Sequence, residues 1–169
     1  MRAIIKKSID QYYWDSCLWI ELISGRQSES FDRCRYVLDL VKLNEAHLYT
    51  SAFTLAEVWK VQCSNEWKTL IPDMDQDFIE FIDNYATILQ VDYSVGNTAR
   101  KLLREYVNLK KPSDAIHLAS CINHSINEFH TFDKRDFLNK FKSQLYCHNE
   151  KPLTIASLQS ALKMVRYST

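Results

Sequence analysis

Only two glycines, Gly25 and Gly96, stand in this chain of 169 residues, beside three prolines. No other feature constrains the fold as strongly. Tight hairpins draw on glycine for their left-handed positions, so a chain of many hairpins is excluded and the sequence leans towards helix. A glycine-rich phosphate loop and a dinucleotide-binding turn are excluded on the same ground, because each needs several glycines at fixed spacing. No GxSxG elbow offers a serine nucleophile.

Hydrophobic periodicity supplies the elements. The segment "QYYWDS" (11–16) reads as a short buried strand ending in an acid, and "CLWIELIS" (17–24) runs at helical period. After a polar loop at 25–30, Phe31, Cys34, Val37, Leu38 and Val41 share one face of an amphipathic helix over 31–46. Strand character returns at 47–52, helix at 54–63, a loop at 64–75 and helix at 76–89. A third strand is expected at 90–94, helices at 95–109 and from 112, and a strand at 127–133. A short helix at 134–141 precedes a tail with an edge strand and a last helix. Strands separated by helices, without hairpin signals, imply an α/β fold: a three-layer sandwich with a central, mainly parallel sheet of about five short strands flanked by helices.

Composition bounds this reading. With 46% apolar and 25% charged residues, the chain is globular, and 1–169 reads as one domain. Twenty-one basic and 21 acidic residues cancel, which excludes a grip on nucleic acid by bulk charge alone. Five cysteines, an odd count without a CxxC pair, indicate reduced thiols and a cytoplasmic location. Cys121 with His124 and Cys147 with His148 lack a second matching pair, so no zinc site is read there. No apolar run reaches membrane-spanning length. Charges at Lys6, Lys7 and Asp10 make the N-terminus a strand rather than a signal peptide.

In such folds the ligand crevice lies outside the carboxyl ends of the strands. Acids stand at those ends. Asp15 closes the first strand, Glu57 lies on the helix after the second, and Asp133 ends the strand at 127–133, with Asp136 one turn later. Asp114 opens the helix that begins "KPSDAIHLAS". Each has a local explanation. Glu57 follows Thr54 at capping-box spacing, Asp133 suits an N-cap, Asp136 suits a first turn, and Asp114 suits a helix start. Asp15 resists one, because between "YYW" and "CLWI" an unpaired charge needs a cation or a set of donors. Carboxylates gathered together repel unless a cation neutralises them, and hard ions such as Mg²⁺ or Mn²⁺ suit oxygen ligands. Such ions activate water and stabilise a leaving oxygen in phosphodiester cleavage.

The motifs "YYWDSCLWIELI", "TLAEVWK", "KPSDAIHLAS" and "FHTFDKRDF" occur in an order and spacing that resembles the PIN-domain family of VapC-type toxin ribonucleases, over residues 12 to 137. The resemblance implies a metal-dependent endoribonuclease using Mg²⁺ or Mn²⁺. It implies Asp15, Glu57, Asp114 and Asp133 as principal catalytic acids and metal ligands, Asp136 as an additional acid, and Ser16 as support for a bound water or the first acid. Phe132 departs from the pattern, standing where a polar residue usually precedes the fourth acid. Additions at 62–77 and after 142 exceed a minimal member. Lys110, Lys111, Arg100, Arg104, Lys134 and Arg135 are candidate contacts to RNA phosphates, or simply a solvated face. His117, near the same helix face as Asp114, is read as a structural histidine bonded to backbone, with contact to substrate as the alternative. The implied partners are RNA, an antitoxin peptide over the acidic groove and a second copy of the chain, with no membrane. A stand-alone processing RNase and a non-catalytic interaction module are the competing readings.

Overall fold

In β1 (Asp10–Trp14), the alternation of "YYW" decides where the layers go: Tyr13 is buried in one hydrophobic cluster, and Tyr12 and Trp14 in the other. Side chains on a strand alternate between faces, so a strand buried on both sides must lie inside a three-layer structure. The computed structural model describes residues 9–63, 66–139, 141 and 143–158.

Around β1 the sheet runs in the order β5-β2-β1-β6-β8-β7. Strands β2 (Ala46–Ser51), β5 (Ala86–Leu89), β6 (Glu128–His130) and β8 (Pro152–Ala156) pair in parallel, with Tyr12 opposite Leu48 and Tyr13 opposite Phe129. The short β7 (Leu145–Tyr146) adds an antiparallel edge, giving six strands rather than about five. One face carries α1 (Ser16–Ile23), α2 (Glu29–Lys42) and α4 (Pro72–Tyr85), whose Leu18, Trp19, Val37, Leu38, Phe78 and Ile82 are buried with Trp14. The other carries α5 (Tyr93–Glu105) and α6 (Pro112–Asn123), packed around Tyr13 and Phe129. The α/β sandwich and its mainly parallel sheet are as expected.

Three local expectations are corrected. The helix after β2, α3, spans only Ala52–Glu57, and β3 (Lys60–Cys63) and β4 (Glu66–Thr69) form an antiparallel hairpin where helix and loop were expected. Cross-strand pairing decides it: Lys60 lies opposite Thr69 and Val61 opposite Lys68, with Val61 buried and Trp59, just before the strand, exposed. The Lys60 ammonium lies 4.6 Å from the Trp59 ring and 5.2 Å from that of Trp67, so cation–π contacts support a hairpin lacking glycine. The helix expected at 76–89 starts earlier, with Pro72 in its first turn, and ends at Tyr85. Its last residues, "ATIL", become β5. The strand expected at 90–94 is therefore displaced; Asp92 instead caps α5, accepting from the Val95 N–H at 2.9 Å. The last helix expected in the tail and the first eight residues fall largely or wholly outside the described residues. Among the described residues, no helix is long and apolar enough to cross a membrane.

Candidate functional site: acids at the carboxyl ends of the sheet

Because β1, β2 and β6 are parallel neighbours, the segments leaving their carboxyl ends share one edge of the sheet. From β1 the chain passes to β2 on one side, and β6 later inserts on the other, so β1 marks the crevice.

Asp15 follows β1 and caps α1. It is 5% exposed, and its Oδ1 accepts from the Cys17 N–H at 3.1 Å and the Cys17 thiol at 2.7 Å. Burial raises its pKa; the charge of His117 and hydrogen bonds from Cys17 and Thr131 act against that. The donors that the sequence demanded for Asp15 are thus Cys17 and Thr131. Thr131 also supplies polar character beside Phe132, accepting from the Asp133 N–H at 2.9 Å. Phe132 itself is turned into the α1/α2 core, and its N–H donates to the Cys17 sulfur at 3.0 Å.

Glu57 is the last residue of α3, so it cannot close a capping box at the start of that helix. Its Oε2 lies 2.7 Å from His117 Nε2, and the His117 Nδ1 lies 2.7 Å from the buried Tyr13 hydroxyl. His117 is therefore bonded to two side chains on other elements, not to backbone. Burial opposes ionisation of Glu57, but His117, the Ser16 hydroxyl and Lys111 outweigh it and hold the pKa below the usual carboxylate range. The Ser16 hydroxyl, expected beside the first acid or a bound water, here bonds Glu57.

Asp114 occupies the first turn of α6 and is buried. Burial pushes its carboxyl up to about 6; Lys111 draws it down, and the charges of Asp133 and Asp136 add to the rise. Asp133 does serve as an N-cap, accepting from the Asp136 N–H at 2.9 Å at the head of a π-helical turn, Lys134–Leu138. Lys111, immediately before α6, pairs with Asp136 and approaches Asp133 Oδ2 at 3.8 Å. Hydrogen bonds from Lys111 and Arg135 lower the Asp136 pKa to about 2. Arg135 is 71% exposed and lies 3.2 Å from Asp136; Arg100, Lys110 and Lys134 are exposed on the surface.

His117 thus bonds Glu57 and acts by charge on Asp15 and Asp114, while Lys111 pairs with Asp136, approaches Asp133 and acts by charge on Glu57 and Asp114. Sequence reasoning missed the contributions of Tyr13, Cys17 and Thr131, whose apolar or neutral contexts carry no signal of charge chemistry. Among the described residues, no three His, Cys, Asp or Glu groups are gathered closely enough to hold a metal as the side chains stand. The donor chemistry nonetheless fits a hard divalent ion: every acid offers carboxylate oxygen, and burial, with the charges of Asp133 and Asp136 behind it, disfavours the ionised form of Asp114 that a cation would favour.

A three-layer α/β fold with linked acids at the carboxyl edge of a parallel sheet defines the class. The PIN-domain family model matches residues 12–142, and the chain belongs to that family. Among solved structures, a DNA-bound VapBC from Salmonella typhimurium is similar over 88% of this chain and 98% of that one, at 17% identity and TM-score 0.60. A toxin–antitoxin complex from Klebsiella pneumoniae is 22% identical, covering 76% of this chain and 91% of that one at TM-score 0.55. Mycobacterium tuberculosis VapC20, described as a sarcin–ricin-loop-cleaving toxin, is 14% identical over 73% of this chain and 91% of its own, at TM-score 0.54. At these identities the likeness concerns the fold. Comparison with curated protein sequences finds no match.

Proposed function

We propose that the protein is a divalent-metal-dependent endoribonuclease, working in the cytoplasm as the toxin of a toxin–antitoxin pair. The observation that carries this reading is the convergence of Asp15, Glu57, Asp114, Asp133 and Asp136, from four separate parts of the chain, on one edge of the sheet. Structural needs alone do not call for buried acids there, since Asp15 and Asp114 are both less readily ionised for being buried.

In this reading Asp15, Glu57, Asp114 and Asp133 hold Mg²⁺ or Mn²⁺, with Asp136 contributing beside them. The ion supplies activation of water and stabilisation of the leaving oxygen. The chain's own groups do the positioning. Cys17 and Thr131 orient Asp15, His117 and Ser16 orient Glu57, and the α6 N-terminus favours charge on Asp114. Lys111 and Arg135 lie where they meet an RNA backbone, with Arg100, Lys110 and Lys134 at its rim. An antitoxin peptide laid over this acidic edge is the expected inhibitor, and a second copy of the chain an expected partner. Two solved relatives are described as a toxin–antitoxin complex and as a toxin, which supports the pairing.

The test is cleavage of a structured RNA pool with Mg²⁺, Mn²⁺ or EDTA, beside an Asp15→Asn/Asp114→Asn double variant. Metal-dependent cutting lost in the variant is expected. Cutting that survives in the variant removes these acids from the chemistry. A folded protein that cuts no RNA returns the non-catalytic reading.

A further inference from the structure

Asp133 and Asp136 already hold a cation. The Lys111 ammonium pairs with Asp136 Oδ2 and lies 3.8 Å from Asp133 Oδ2, and it is within electrostatic reach of Glu57 and Asp114. The atoms matter. Asp133 Oδ1 accepts from the Asp136 N–H, so the oxygen it offers outward is Oδ2, the one that faces Lys111. A divalent ion drawing on these two carboxylates reaches for oxygens that the ammonium uses, and two cations on one pair of oxygens repel.

The backbone and the side chain of Lys111 differ in freedom. Its backbone is pinned, because it is the residue before α6 and Pro112 fixes the first turn. The side chain is 44% exposed, and its flexible four-carbon stem can swing outwards without disturbing the core. We infer that Lys111 is a built-in counter-ion which a divalent metal displaces from Asp133 and Asp136, and that the released ammonium then meets a phosphate of the RNA strand. This inference rests on the metal-dependent reading above. It gives one residue two effects of opposite sign, weakening metal binding and aiding turnover.

Opposite signs make it testable. EDTA-stripped wild type, Lys111→Met and Lys111→Arg are titrated with Mn²⁺, and the free ion is counted by electron paramagnetic resonance; circular dichroism verifies the fold, and Lys111→Gln replaces the Met variant if that misfolds. Lys111→Met is expected to bind Mn²⁺ at least about fivefold more tightly than wild type, because exposed ion pairs are lost without other contacts. Lys111→Arg, which keeps the charge, is expected within about twofold of wild type. At saturating Mn²⁺, RNA cleavage by Lys111→Met is expected to fall roughly tenfold or more. Equal or weaker Mn²⁺ binding by Lys111→Met overturns the displacement. Unchanged cleavage at saturating Mn²⁺ overturns the role at phosphate. Failure of all three proteins, wild type included, to bind Mn²⁺ overturns the metal reading itself and the inference with it.

Discussion

Asp114 is where the proposed function and stability oppose each other in this protein. Its carboxyl is pushed up to about 6, against an ordinary value near ~3.9, with burial as the leading cause. The folded state therefore binds more protons than the unfolded chain across that window, and stability falls as pH rises through it. The penalty is absent below about pH 4 and complete above about pH 6. Two pKa units are worth about 3 kcal/mol, and solvent screening at the mouth of α6 reduces this to about 1–2 kcal/mol. Asp114→Asn is accordingly expected to raise the melting temperature at pH 7 in EDTA by several degrees, and to make no difference near pH 4. Thermal unfolding at the two pH values checks this. A variant less stable than wild type at pH 7 would show that Asp114 stabilises the fold through Lys111 rather than straining it. Asp15 is raised for the same reason and adds to the slope.

At the scale of elements, β1 and α6 are joined by a polar contact inside an apolar interface. The Tyr13 hydroxyl meets His117 Nδ1 at 2.7 Å, while the Tyr13 ring stacks on Phe129 at 5.6 Å. Tyr13→Phe keeps the stacking and leaves the buried imidazole nitrogen without its partner, at a cost of about 1–3 kcal/mol. Because the same ring orients Glu57, kcat for RNA cleavage is expected to fall while KM holds; urea denaturation and steady-state kinetics read the two effects separately. A loss of stability with unchanged kcat would confine His117 to packing. The sequence foretold α6 and the acid at its head, because "DAIHLA" combines a charge with a buried helical run. It did not foretell where His117 points, since side-chain partners 60 and 104 residues away leave no periodic trace. The β3–β4 hairpin was hidden for a related reason. "TLAEVWKVQC" satisfies helical and alternating patterns alike, and only pairing of Lys60 and Val61 with Thr69 and Lys68 decides between them.

Across the whole molecule, the family match stops at residue 142, yet the fold does not. Strand β8 lies beside β6, and its Ala156 carbonyl accepts from the N–H of Thr131, the residue that braces Asp15 and Asp133. Thr154 returns a bond to the Asn127 carbonyl at 2.8 Å. Leu145, Cys147 and Leu153 fill the α5/α6 core, and Leu158 the opposite one. Burial of three leucines contributes roughly 5–9 kcal/mol, which rivals the whole stability of a domain this size. Without these residues β6 also becomes a bare edge next to the acidic site. A chain ending at 142 is therefore expected to lose cooperative unfolding and to aggregate, even though every proposed catalytic acid is retained. Circular dichroism melts of the truncated and full chains decide it: a sharp transition within a few degrees of the full chain would make β7 and β8 an ornament on a self-sufficient nuclease core. A lost transition would mean that the segment after 142 holds the β6 edge of the site in place, through the backbone of Thr131.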